Sequence, residues 1–182
     1  MPNVFLIADL HFGHKNLLTF KKDDGSPERP FSTLEEMEET LIARWNSVVT
    51  SADKVYVLGD VALRRTSLSL LNRCNGIKSL IRGNHDIYKI EEYLMYFKNV
   101  HTSCEKAGML LTHIPIHPDS VGRYGVNVHG HLHTRTISDP RYFCVSADQI
   151  NFTPIELNDL RAKVAANYPA WRERSLARTV SV

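Results

Sequence analysis

The chain has 182 residues, 43% of them hydrophobic and 23% charged, with a formal net charge of +2. That length and composition fit one globular domain able to bury about two thirds of its unfolded surface, and they exclude disorder and a disulfide scaffold. With 22 basic and 20 acidic residues the balance is too even for a general nucleic-acid coat.

Residues 3–8 (NVFLIA) form a short apolar run of strand formers that stops at Asp9. Ser32 and Glu35 predict a capping box, and Leu34, Met37, Leu41, Trp45 and Val48 recur behind it at helical spacing. Glu35, Glu36, Glu38 and Glu39 read as the solvated face of that helix, not as a ligand set. Residues 54–58 repeat the strand pattern and end at Gly59-Asp60; residues 77–81 do so again and end at Arg82-Gly83-Asn84-His85-Asp86. Residues 67–74 and 87–97 predict two further helices. Short, unbroken apolar runs of this kind predict strands covered on both faces, as in an α/β sheet. Beyond residue 98, runs at 99–102, 109–112, 126–129, 142–146 and 153–157 predict a mainly antiparallel region. A last helix is expected over residues 158–167, ahead of Pro169. Residues 1–170 then make one domain, and residues 171–182, with Arg172, Arg174 and Arg178, a surface tail.

No apolar run approaches the roughly 20 residues of a membrane span, and the N-terminus lacks a signal peptide's basic region. Cys74, Cys104 and Cys144 show no C-x-x-C spacing, so a reduced, cytoplasmic setting without membrane partners is expected.

The nine histidines are the unusual entry in the composition, and their placement is informative. Asp9 and His11 follow the first strand, Asp60 the second, and Asn84 and His85 the third. His113 follows the run at 109–112, and His129, His131 and His133 cluster at the end of the run at 126–129. Ligands of open α/β sheets bind beyond the carboxyl ends of the strands, so these side chains should converge. Carboxylate, amide and imidazole donors without a thiolate suit Mn²⁺, Fe, Co²⁺, Ni²⁺ or Zn²⁺. Singly, each motif also reads as a strand-end turn or a core histidine. In this order they point to a metal centre.

The blocks Asp9-Leu10-His11, Gly59-Asp60, Gly83-Asn84-His85-Asp86, His113 and Gly130-His131-Leu132-His133 resemble those of the calcineurin-like metallophosphoesterases. The run Asp9-Leu10-His11-Phe12-Gly13-His14 is similar to a small bacterial and phage subgroup. The resemblance implies a single α/β domain, a sandwich of two mixed sheets flanked by helices. It also implies two divalent ions, Mn²⁺ first, that share Asp60. Asp9, His11 and His133 would complete one shell; Asn84, His113 and His131 the other. Four positive charges against two carboxylates leave a site that attracts phosphate.

The implied reaction is in-line attack on a phosphoester, diester or monoester, by a hydroxide bridging the metals. His85 would contact the phosphate beside Asn84 and protonate the leaving oxygen. Asp86 reads either as an acceptor orienting His85 or as a helix N-cap. Arg64 matches an arginine that contacts phosphate in parts of the family, but Leu63 replaces the aspartate that usually precedes it. Arg64 and Arg65 read equally as solvated residues at a helix start. Arg82 is a further candidate substrate contact. His14, His117 and His129 read as supporting or structural, and His101 as incidental.

A short Asp60-to-Asn84 spacing leaves little chain for a cap, which favours small phosphoesters or nucleotides. Two alternatives stand beside this reading. One is a small nuclease or nucleic-acid end-processing phosphatase with the arginine-rich tail as its footprint. The other is a non-catalytic protein-binding module, for which substituted ligand positions would be expected.

Overall fold

The computed structural model describes residues 2–171. In chain order the strands are β1 (Val4–Ile7), β2 (Lys54–Val57), β3 (Ile77–Ile81), β4 (Asn99–His101), β5 (Cys104–Lys106), β6 (Met109–Leu111), β7 (Val126–His129), β8 (Tyr142–Cys144) and β9 (Ile155–Glu156). The helices are α1 (Leu34–Val48), α2 (Ile90–Leu94), α3 (Pro118–Val121) and α4 (Leu157–Asn167). One sheet has the order β4-β3-β2-β1-β9, the other β5-β6-β7-β8.

Each sheet is mixed. β1 to β4 pair in parallel and β9 closes the β1 edge antiparallel. β5 and β6 are antiparallel, whereas β6, β7 and β8 are parallel. Successive residues of β1 point to opposite faces, which explains its unbroken apolar run. Phe5 and Ile7 join a core with Met37, Leu41 and Trp45 of α1, while Leu6 and Ala8 join a second core. That second core lies between the sheets, with Met109, Leu111, Val126 and Val128, and takes in Leu160 and Val164 of α4.

Several elements differ from the sequence expectation. The segment Ser32-Thr33-Leu34-Glu35-Glu36 spells two overlapping capping-box patterns, and α1 takes Thr33, not Ser32, as its N-cap. Thr33 Oγ1 accepts from the Glu36 N–H at 3.1 Å, and the Glu36 carboxylate accepts from the Ser32 N–H at 2.7 Å. The acidic face is also less free than expected. Glu38 accepts from the Gly13 N–H at 2.7 Å, and Glu39 pairs with Arg73 at 2.6 Å. The segment Arg65–Arg73 winds as 3₁₀ turns, and the third helix is shortened at both ends to α2, with residues 86–89 irregular after the turn at Asn84-His85.

The region beyond residue 98 is not mainly antiparallel. β4 returns to the first sheet, and the connections over residues 112–125 and 130–141 are long enough for parallel crossovers. Trp171, expected on a surface tail, is 3% exposed and lies in the second core. The rest of that tail lies outside the described residues. Among the described residues no helix is long and apolar enough to cross a membrane.

Candidate metal centre

The loops that leave the carboxyl ends of β1, β2, β3, β6 and β7 meet at one place. Two groups of side chains there present ligand atoms lying within 4.8 Å of one another: Asp9, His11 and His133, and Asp60, His113 and His131. Asp60 stands between them, its Oδ2 3.7 Å from His11 Nε2 and 3.3 Å from His113 Nε2. Asn84 adds its amide oxygen to the second group, 2.9 Å from His113 Nε2. The His11 and His133 rings stack with centroids 5.0 Å apart, and the His113 and His131 rings meet edge-on at 5.1 Å.

The backbone is bent to achieve this. Asp9, His11, Asp60, His131 and His133 all have φ between 50° and 69°. Non-glycine residues in that left-handed region cost of order 1 kcal/mol or more and persist where the surroundings impose them. Glycine at two neighbouring positions lets the loops touch. A Cβ on Gly83 would collide with the Asp60 carboxylate, and one on Gly130 would stand 2.7 Å from Asp9 Oδ2.

These donors fit divalent cations. His11 Nδ1 and Nε2 are both buried and have no hydrogen-bond partner within the protein, an arrangement that a buried imidazole rarely keeps without a ligand. His113 Nδ1 donates to the Leu58 carbonyl at 2.8 Å, which turns the Nε2 lone pair toward the oxygens of Asp60 and Asn84. Lone pairs facing one another in this way call for a cation between them. Burial pushes the His11 imidazole well below its ordinary pKa, and the Arg29 cation adds to that, so the free-base form is favoured. Burial opposes the Asp60 charge, yet the proton that His113 carries when no cation is bound, together with the His85 N–H, outweighs it and holds the pKa down at about 2.

The other expected residues divide. His85 is exposed, its N–H donates to Asp60 Oδ1 at 2.9 Å, and its ring centroid lies 5.7 Å from that of His11. Asp86 does neither job expected of it. Its carboxylate is buried and accepts from the backbone N–H groups of Asp60, Val61 and Gly83, lacing two ligand loops together, and Lys89 is the N-cap of α2. His14 sits edge-on to His11 at 5.5 Å, and its Nδ1 accepts from the Leu17 N–H at 2.9 Å. Arg64 is exposed, with its Cβ and Cγ packed beside Gly13. Arg82 donates to the carbonyls of Asp86 and Tyr88 and so serves the loop. His129 is buried and bonded to the Gly130 carbonyl, and His117 is exposed and caps α3.

Three site residues escaped the sequence reading. Arg29 is fully buried, donates to Asp148 at 2.8 and 3.0 Å, and also donates to the carbonyls of Asp9 and Leu10. Asp148 in turn accepts from His133 Nδ1 at 3.0 Å, which leaves Nε2 free to face a cation. Ser146 donates to Asp9 Oδ2, and the Cys144 thiol lies 3.1 Å from the Ser146 hydroxyl. Burial pushes that thiol up to about 11, and Cys144 belongs to neither donor group. Asp148 follows the end of β8, so the rule that singled out the other strand ends extends to it. Arg29 has no comparable signal.

A family model for calcineurin-like phosphoesterases matches residues 2–181. The chain therefore belongs to the calcineurin-like phosphoesterase family, and its two Asp/His groups fit a dinuclear divalent metal site. It is similar to an uncharacterized protein of Methanocaldococcus jannaschii, 32% identical over 173 residues that span 87% of this chain and 89% of that one. It is also similar to the gene 66 protein of Mycobacterium phage L5, 31% identical over 175 residues, 75% of this chain and 80% of that one. A solved structure, a protein of unknown function from Aquifex aeolicus, superposes with a TM-score of 0.68. It is 22% identical, covers 89% of this chain and 99% of its own, and supports the fold alone.

Proposed function

We propose that the protein hydrolyses small phosphoesters or nucleotides with two divalent ions, Mn²⁺ foremost, held by the two groups that meet at Asp60. The observation that carries this reading is the pair of buried, lone-pair-facing donor sets, with both His11 nitrogens unpartnered. When bound, such ions supply Lewis-acid charge and a nucleophilic water at neutral pH. Asp9, His11 and His133 hold one ion; Asn84, His113 and His131 hold the other; Asp60 is shared. Two carboxylates against four positive charges leave a net attraction for a phosphate.

His85 is the residue this reading assigns to the substrate. It is exposed, its backbone is anchored to Asp60, and its ring centroid lies 5.7 Å from that of His11, which supports the assignment. In this role it binds a phosphate oxygen and gives a proton to the leaving oxygen. Asn84, also exposed, lies on the same rim. Arg64, whose Cβ and Cγ pack beside Gly13, is assigned a second contact to a substrate oxygen in this reading.

The test is hydrolysis of an aryl phosphate monoester and diester after metal removal and return of Mn²⁺. Turnover should depend on the metal and vanish in Asp60→Asn. His85→Ala should retain metal while losing about 100-fold or more in kcat, the usual scale of a lost general acid. Unchanged activity in Asp60→Asn removes the proposal, and loss of metal from His85→Ala reassigns that residue.

A further inference from the structure

The metal centre lies between two clefts. One, of about 720 Å³, runs from His131 and His133 along Thr134, Arg135, Lys21 and Lys22. The other, of about 460 Å³, starts at Asn84 and His113 and is floored by Leu110, Ile114 and Ile116, with Thr102 at its edge. The first cleft borders one histidine of each group, His133 and His131, and the second borders Asn84 and His113 alone. A phosphate monoester has one organic arm and needs one such cleft; a diester has two.

Both clefts are built into the free protein. Ile114 directly follows His113, and Thr134 and Arg135 directly follow His133, so the walls inherit the positions of the ligand loops. On the apolar side, fully buried Asn127 accepts from the Ile116 N–H at 3.0 Å and donates to Thr112 Oγ1 at 2.9 Å. Thr112 Oγ1 donates onward to the Ile114 carbonyl at 2.8 Å, and the Tyr142 hydroxyl donates to the Ile116 carbonyl at 2.6 Å. On the charged side, Gln149 Nε2 donates to the carbonyls of both His133 and Arg135 at 2.7 Å. The Lys21-Lys22 hairpin is closed by backbone bonds from Lys22 to Ser26 at 2.8 Å and from Glu28 to Phe20 at 2.9 Å. Arg29, at the end of that hairpin, ties it to the Asp9 loop. Preformed walls of this kind lower the ordering cost of binding.

The linings differ. The polar cleft carries charged side chains of both signs, Lys21, Lys22 and Arg135 beside Asp23, Asp24 and Glu28. The other cleft offers aliphatic side chains with a hydroxyl rim, suited to a flat aryl or nucleobase-like group. We infer that the preferred substrate is an asymmetric phosphodiester, its phosphorus at the metal centre, its flat apolar arm on Ile114 and Ile116 and its polar nucleoside-sized arm along Arg135 and Lys22. This rests on the phosphoesterase reading and narrows it to diesters.

The experiment compares thymidine 5′-(4-nitrophenyl) phosphate with 4-nitrophenyl phosphate, using the Mn²⁺-loaded protein and the variants Arg135→Glu and Ile114→Asp. Both variants change exposed side chains, so the fold should survive. The diester should be preferred by about tenfold or more in kcat/KM, the scale of one well-placed additional contact. Arg135→Glu should raise KM for the diester alone, because the monoester has no second arm; Ile114→Asp should raise it for both. Preference for the monoester, or equal effects of Arg135→Glu on both esters, overturns the two-cleft assignment and leaves the phosphoesterase reading standing. Metal-dependent hydrolysis of neither ester removes both.

Discussion

Arg29 and Asp148 are 119 residues apart in sequence, yet they form the ion pair on which one half of the metal centre rests. The guanidinium is fully buried and, among the described residues, Asp148 is the carboxylate it pairs with, so removing Asp148 alone leaves an unpaired charge in the interior. The same carboxylate orients His133, which couples the packing of the loop carrying Arg29 to the geometry of a proposed ligand. Asp148→Asn should therefore lower unfolding stability by about 3 kcal/mol, read from urea denaturation. It should also weaken Mn²⁺ binding by about tenfold in a metal titration, as changes behind metal-ligating histidines do. A stable variant with wild-type metal affinity would separate Asp148 from both tasks. Asp86 plays a comparable part on the other side, where one buried carboxylate gathers three backbone N–H groups from two ligand loops.

At the scale of elements, the start of α1 shows how tertiary packing chooses between locally equivalent options. Ser32 with Glu35 and Thr33 with Glu36 fit the same capping pattern, and the helix takes Thr33 as its N-cap. Thr33→Ala should cost about 1 kcal/mol of stability, and Ser32→Ala clearly less. Equal losses in a thermal or urea melt would mean that both caps are in use. The β region behaves similarly. Short apolar runs between turns suggest hairpins, but residues 112–125 and 130–141 bridge parallel strands and carry His113, His131 and His133 with them. The proposed ligands thus sit on the very connections that make the pairing parallel, which the hairpin reading could not accommodate.

Across the whole molecule, two cores share one sheet, and the site lies where loops from both sheets meet. The second core is closed at its end by Trp171, which is 3% exposed and packs beside Gly125, where a Cβ would come within 2.9 Å of its ring. A residue assigned to a surface tail is therefore part of the interior. Trp171→Ala should destabilise the protein by about 3–5 kcal/mol, the range for large aromatics in cores, as measured by denaturant unfolding. A loss below about 1 kcal/mol, the scale of a surface change, would place the ring outside the core.

What the sequence determined by itself is the chemistry at the strand ends. Asp9, His11, Asp60, Asn84, His113, His131 and His133 were each legible because ligand type and strand end are properties of a few adjacent residues. The apolar runs of β1 to β3 and the stripe of α1 were legible for the same reason: their periods are local. Only the tertiary structure decided which distant side chains support those proposed ligands, which strands pair in parallel, and where the clefts open. Arg29 carries no local mark of its role, because its partners are main-chain carbonyls and a carboxylate brought near only by folding. Nine histidines are a composition; the five left-handed Asp and His residues that aim the centre inward are a consequence of the packed loops around them.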